Sequence, residues 1–165
     1  MIGGYFSHRN KYLLIPDDEF LKECKVDVFQ ASGPGGQKRN RKYSAVRITH
    51  LPSGYSATST GTRDQHINKR DAIRKIKLQL AVNIRDEKIK IDRQVVSTHH
   101  PDYPLWVSLL FDSLYENNFD IKITASGLGL TTSKLLKLIY NDRMLWDVVT
   151  VEREKRELKN LLVPK

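Results

Sequence analysis

Along the first half of the chain the spacing of apolar positions changes period twice. Val26, Val28 and Gln30 alternate with Asp27 and Phe29, which reads as a strand. The run stops at Ser32-Gly33-Pro34-Gly35-Gly36, where breakers and small residues predict a loop. Alternation resumes over Ser44-Ala45-Val46-Arg47-Ile48-Thr49-His50. Leu51-Pro52-Ser53-Gly54 supplies a turn and Tyr55-Ser56-Ala57-Thr58 a return strand, so these residues predict a β-hairpin with a four-residue connection. From Gln65 the period becomes helical, with Ile73, Ile76, Leu80 and Ile84 on one stripe of a segment rich in Lys and Arg. Upstream, residues 1–16 read as a mobile start. Asp17-Asp18-Glu19 before Phe20 and Leu21 suits a short helix with an acidic first turn.

Residues 88–104 lack a clear period and end in the proline-bounded turn Thr98-His99-His100-Pro101. Beyond them the pattern is helical throughout. Trp106, Leu110 and Leu114 share a face, and a second helix is expected to begin near Asp120. Ala125, Gly129, Leu130, Leu135 and Leu138 have the spacing of a helix-turn-helix, in which glycine supplies the turn. A last amphipathic stretch carries Leu145, Val148, Leu158 and Leu161, with Glu152 and Arg156 spaced as a supporting pair. The expected architecture is α+β, with a strand-loop-strand-strand-helix module over residues 1–94 and an all-helical, helix-turn-helix-like module over 95–165.

The chain of 165 residues is 39% hydrophobic and 28% charged, the composition of a folded protein rather than a disordered one. Charge separates the two modules. Residues 1–94 hold 19 Lys and Arg against 10 Asp and Glu, whereas residues 95–165 hold 9 of each. A basic half beside a neutral half suggests that one module meets a polyanion, of which nucleic acid is the commonest; a merely solubilising basic surface is the alternative. Apolar runs such as Leu109-Leu110-Phe111 fall far short of the roughly 20 residues that cross a bilayer. The lone Cys24 has no internal disulfide partner and no companions for a zinc site. The expectation is a cytoplasmic protein with no membrane span, no metal and no cofactor. His99 and His100, without further ligands at suitable spacing, read as a turn.

The loop Ser32-Gly33-Pro34-Gly35-Gly36-Gln37-Lys38 is the segment richest in chemical possibilities. A nucleotide-binding P-loop wants Lys where Gln37 stands and a helix where a strand follows, and a dinucleotide fingerprint fails on spacing. Lys38, Arg39, Arg41, Lys42 and Arg47 place five positive charges with no acid between Gln37 and Arg47. Phosphate contact is the functional reading of that run, with Asn40 inside it, and a solvated loop is the plainer one.

From Ala31 to Ala72 the chain resembles the catalytic domain of class I peptide chain release factors. The resemblance rests on Ser32 to Gln37, on Ser44 to Gly54 and on Arg63-Asp64-Gln65-His66-Ile67-Asn68-Lys69-Arg70, about a quarter of the chain. It implies that Gly35 and Gly36 let the backbone enter the peptidyl transferase centre of the large ribosomal subunit. It implies also that Gln37 directs its backbone N–H toward the ester and helps coordinate the attacking water. Ser32 and Gly33 are then loop-supporting, as are His66 and Asn68, which match a family element at the start of the helix; capping the loop's base and touching RNA are both open to the latter pair. No side-chain general base is required, and the activity is expected only on the ribosome. The implied partners are large-subunit ribosomal RNA, peptidyl-tRNA and a glutamine methyltransferase acting on Gln37, with the chain itself monomeric.

The chain is similar to the short, stand-alone members of that family associated with rescue of stalled ribosomes, although its neutral helical half replaces their long basic tail. Two other readings stay open from sequence: a non-catalytic ribosome-binding factor, and a DNA-binding regulator built on the helix-turn-helix. Against the regulator, the segment Thr131 to Tyr140 offers only Lys134 and Lys137 as cations.

Overall fold

The computed structural model describes residues 8–30, 43–88 and 97–164. The chain divides into two compact units, Met1–Asp86 and Glu87–Lys165.

The first unit is an antiparallel sheet with one long helix across it. Strands β1 (Cys24–Phe29), β2 (Ala45–His50) and β3 (Ser56–Ser59) lie in the order β1-β2-β3. Val26 pairs with Ile48 and Val28 with Val46, and Ile48 pairs in turn with Ala57. Because paired residues share a face, one side of the sheet carries Val26, Val28, Val46, Ile48 and Ala57. Helix α3 (Gln65–Asn83) packs on β2 and β3 and buries Ala72, Ile73, Ile76 and Leu80 there. As the edge strand, β1 keeps Val26 and Val28 partly exposed. Gly54, at φ 72, supplies the left-handed residue that closes the β2–β3 hairpin.

Two short helices precede the sheet. The acidic segment forms α2 (Asp17–Leu21), but α1 (Arg9–Leu14) occupies residues expected to be without structure. Its signal is invisible to periodicity because long-range bonds hold it. Arg9, buried to 1% exposure, donates from Nη1 to the Ile84 carbonyl at 3.0 Å, and the Asn10 amide donates to Asp86 Oδ2 at 3.0 Å. Phe20 is fully buried, stacked on His50 with ring centroids 5.1 Å apart, with the Lys77 ammonium 5.4 Å from its centroid. Lys77 ends on the Ile15 carbonyl at 3.0 Å and Asp17 Oδ1 at 2.9 Å.

The second unit is helical. Pro104 opens α4 (Tyr103–Glu116), whose buried face includes Trp106, Leu110, Phe111 and Leu114. Asn118 and Phe119 then take positive φ, and the Phe119 amide reaches back to the Leu114 carbonyl at 2.7 Å to end the helix. Asp120 caps α5 (Ile121–Gly127), and Gly129, at φ 67, turns the chain into α6 (Thr132–Asn141), capped by Thr131. Asp142 caps α7 (Arg143–Glu154) and accepts the Tyr103 hydroxyl at 2.8 Å. The final stretch is shorter as helix than its apolar spacing suggested. It stops at Glu154, Glu157 adopts φ 56, and Arg153 holds the exit by donating to the Phe119 and Lys159 carbonyls. Leu158 and Leu161 therefore follow the helix, while Arg156 still reaches Glu152 Oε2 at 2.6 Å. No helix among the described residues is long and apolar enough to cross a membrane.

His50 is fully buried; Nδ1 pairs with Ser53 Oγ at 2.7 Å, and burial pushes its pKa below 6.5, opposed by the charge of Glu23. A histidine held neutral refuses a proton that the unfolded chain accepts near pH 6.5, so its contribution is whole above that pH and is lost as pH falls. The urea midpoint should therefore drop between about pH 7.5 and about pH 5.5. His50→Leu should flatten that dependence, and an unchanged pH slope in the variant would contradict this assignment.

Candidate functional site

The glycine loop springs from a fixed root. Strands β1 and β2 remain paired up to Phe29 and Ala45, and the 15 residues from Gln30 to Ser44 connect them. Ser32, Gly33, Gly35, Gly36, Gln37, Lys38, Arg39, Asn40, Arg41 and Lys42 lie outside the described residues. Three predicted site residues, Arg47, His66 and Asn68, lie within them, and so do both ends of the loop.

Asn68, on the first turn of α3, is 1% exposed and is hydrogen-bonded on both sides of its amide. Its Nδ2 donates to the Ser44 carbonyl at 2.7 Å and to the Thr62 carbonyl at 2.9 Å. Its Oδ1 accepts from the Thr62 amide at 3.0 Å, the Thr62 hydroxyl at 3.2 Å and the Ser59 hydroxyl at 3.4 Å. One side chain thus ties the returning end of the loop to the end of β3 and to the turn that starts α3. Only an amide supplies two donors and an acceptor in one plane at this length. Aspartate would present oxygen to two carbonyls, and alanine would leave five polar groups without this partner, the Ser44 carbonyl and the Ser59 hydroxyl among them in buried bonds.

The helix start is held separately. Asp64 Oδ1 accepts from the His66 amide at 2.7 Å and the Ile67 amide at 3.2 Å, and these two bonds hold its carboxyl below the usual range. His66 takes part through its backbone; its side chain is exposed. Asp64, Thr62, Ser59 and Ser44 are the parts of this clamp that sequence reasoning passed over. The Thr-x-Asp spacing before Gln65 carried the signal for the cap.

Arg47 stands on the opposite face of the sheet from α3, two positions from the loop root. Its Nε donates to Thr58 Oγ1 at 3.3 Å and its guanidinium lies 5.5 Å from the Phe29 ring centroid. Packing against the ring orders the long, exposed side chain, and Asp27, opposite it on β1, is itself paired with Lys25 at 3.2 Å. Near the same end, Arg63 and Arg70 are exposed and Lys69 is partly so. The nearby acids are engaged: Asp64 in the cap, and Asp71 with Lys75 at 2.7 Å. Burial raises the Asp71 pKa, yet hydrogen bonds from Lys75 and Ser59 bring the balance below the ordinary value.

Elsewhere the reactive side chains are quiet. Burial, aided by the charge of Glu23, pushes the Cys24 thiol up to about 11, and its Sγ donates to the Phe20 carbonyl at 3.3 Å, so it is no nucleophile at neutral pH. His100 Nδ1 accepts the Asp102 amide at 3.1 Å. Among the described residues no three His, Cys, Asp or Glu side chains group to hold a metal ion.

Replacing Asn68 should be expensive in proportion to its bonds. Asn68→Ala is expected to destabilise the folded chain by about 3 kcal/mol in urea unfolding, through buried groups left unpaired. A loss within about 0.5 kcal/mol, the range of a surface substitution, would show that the clamp does not hold the root.

Residues 18–102, a little over half the chain, match the RF-1 domain family. Peptide chain release factor 1 of Chlamydia caviae is 51% identical over 131 residues, covering 76% of this chain and 35% of that protein. Peptide chain release factor 1 of Ehrlichia canis is 32% identical over 143 residues, covering 85% of this chain and 38% of its own length. Peptide chain release factor 2 of Haemophilus influenzae is 39% identical over 101 residues, or 59% and 27% of the two chains. This chain thus spans less than two fifths of the length of these relatives. With its family match running from α2 across the sheet, the loop root and α3 into the second unit, the chain belongs to the RF-1 domain family of class I peptide chain release factor-like proteins.

Proposed function

We propose that this chain hydrolyses the ester of peptidyl-tRNA inside the ribosome and frees the nascent peptide, independently of a stop codon, on stalled ribosomes or large subunits. The observation that carries the reading is the Asn68 clamp beneath a Gly-Gly-Gln loop. A loop that must thread a crowded RNA site needs small residues at its tip and an immobile root, and the hydrogen bonds to Ser44, Ser59 and Thr62 supply such a root. Family membership and the names of the relatives, all peptide chain release factors, support the same chemistry.

In this reading Gly35 and Gly36 let the backbone approach closely, and Gln37 presents its N–H to the oxygen on which charge develops. Lys38, Arg39, Asn40, Arg41, Lys42 and Arg47 bind RNA; Ser32, Gly33, His66 and Asn68 hold the loop. Residues 1–94 form the catalytic module, and residues 95–165 govern where it is delivered. The protein works as a cytoplasmic monomer without a cofactor, and Gln37 is the acceptor for a glutamine methyltransferase.

Gln37→Pro, which removes the backbone N–H, should slow release from ribosomes stalled on truncated messages by about 100-fold or more while leaving sedimentation with those ribosomes intact. Release at the unaltered rate would refute the catalytic role, and ribosome binding without release by the wild type would leave a binding factor.

A further inference from the structure

The neutrality of the helical half conceals a separation of charge. Residues 95–120 contain Asp102, Asp112, Glu116 and Asp120 and no Lys or Arg, whereas residues 121–141 contain Lys122, Lys134 and Lys137 and no acid. The two acids that bound the basic stretch are turned to backbone work: Asp120 caps α5 and Asp142 caps α7. The helix pair α5–α6 is therefore the positive pole of its unit.

On α6 the exposed residues Ser133, Lys134, Lys137, Tyr140 and Asn141 recur at intervals of one helical face, opposite the buried Leu135 and Ile139. Lys134 and Lys137, with Lys122 on α5, have no carboxylate partner among the described residues. By contrast Lys11, Lys22, Lys25, Lys75, Lys77, Lys88 and Lys155 are ion-paired, and of the other described lysines Lys69 and Lys159 likewise have no carboxylate partner among the described residues. Tyr140, 44% exposed, packs edge-on against Trp146 at 5.1 Å, which fixes an aromatic surface one turn beyond Lys137. Unpaired lysines, hydroxyl and amide groups and a fixed aromatic on one acid-free face make a surface for a phosphate backbone. Lysine is a point charge without the forked geometry that reads base edges, so the contact is to backbone and not to sequence.

We propose that the exposed face of α6 docks on the phosphate backbone of structured ribosomal RNA, a second RNA contact besides that of the loop module. The choice of RNA rests on the function proposed above. The contact adds affinity and register, and takes no part in ester hydrolysis.

The test uses the full-length chain carrying Lys134→Gln and Lys137→Gln, with purified large ribosomal subunits as the probe, over roughly 50 to 200 mM salt. The logarithmic salt dependence of binding should flatten by about 2, one for each lysine, with weaker affinity at the lower salt. Release should need more protein but reach the wild-type rate at saturation. Moving the same charge change to Lys22 and Lys155 should leave the slope as it was, since these are already paired with Glu19 and Glu152. An unchanged slope in the α6 variant, an equal flattening in the control pair, or equally tight α6-dependent binding to a DNA duplex would each overturn the assignment. Lysine-dependent binding by a wild-type chain that releases no peptide would instead reject the hydrolytic reading and keep this surface.

Discussion

Everything proposed for the loop rests on the carboxamide of Asn68. It is buried at the point where three chain segments meet, and each of them would otherwise end in unpaired backbone or hydroxyl groups. The Ser44 carbonyl belongs to the returning end of the glycine loop, Ser59 to the end of β3 and Thr62 to the turn before α3. Losing this amide removes several bonds at once, and those to the Ser44 carbonyl and the Ser59 hydroxyl are buried, where water cannot replace them. The sheet contributes the other half of the mount: β1 and β2 stay paired to Phe29 and Ala45, and Arg47 lies across both edge strands through Phe29 and Thr58. A stiff root beneath a glycine tip is a direct physical answer to positioning a backbone amide within an ångström-scale site, where small misplacement is costly.

Much of this was legible in the chain itself. Alternation located β1, β2 and β3, and the helical stripe through Ile73, Ile76 and Leu80 located α3, because β2 and β3 each bury a face against that helix. Gly54 and Gly129 marked turns that do require positive φ. What escaped depends on distant residues. Helix α1 has no periodic stripe and is held by Arg9 on Ile84 and Asn10 on Asp86, partners more than seventy positions away. The apolar spacing of Leu158 and Leu161 continued past a helix whose end is set by Arg153 binding the Phe119 carbonyl. Asn68 could be singled out by resemblance, but its partners Ser44, Ser59 and Thr62 could not, since no local rule makes a serine carbonyl 24 positions away its acceptor.

The two halves solve different problems of charge. In the first, the acids near the loop root, Asp64, Asp71 and Asp27, are engaged by the α3 cap, by Lys75 and by Lys25, while Arg47, Arg63 and Arg70 stay exposed. In the second, formal neutrality arises from acids along α4 and bases on α5 and α6, a polarity that a net count hides. Both arrangements suit a protein that meets RNA by its surface and leaves the remaining chemistry to the partner.

The most direct measurement compares single-turnover peptide release by the wild-type chain from ribosomes stalled without a codon, stop-codon complexes, isolated large subunits carrying peptidyl-tRNA, and peptidyl-tRNA free in solution. The account predicts release from the ribosomal substrates whether or not a stop codon is present, and none in solution. Hydrolysis of free peptidyl-tRNA at a comparable rate, or no release from any ribosomal complex, would contradict it.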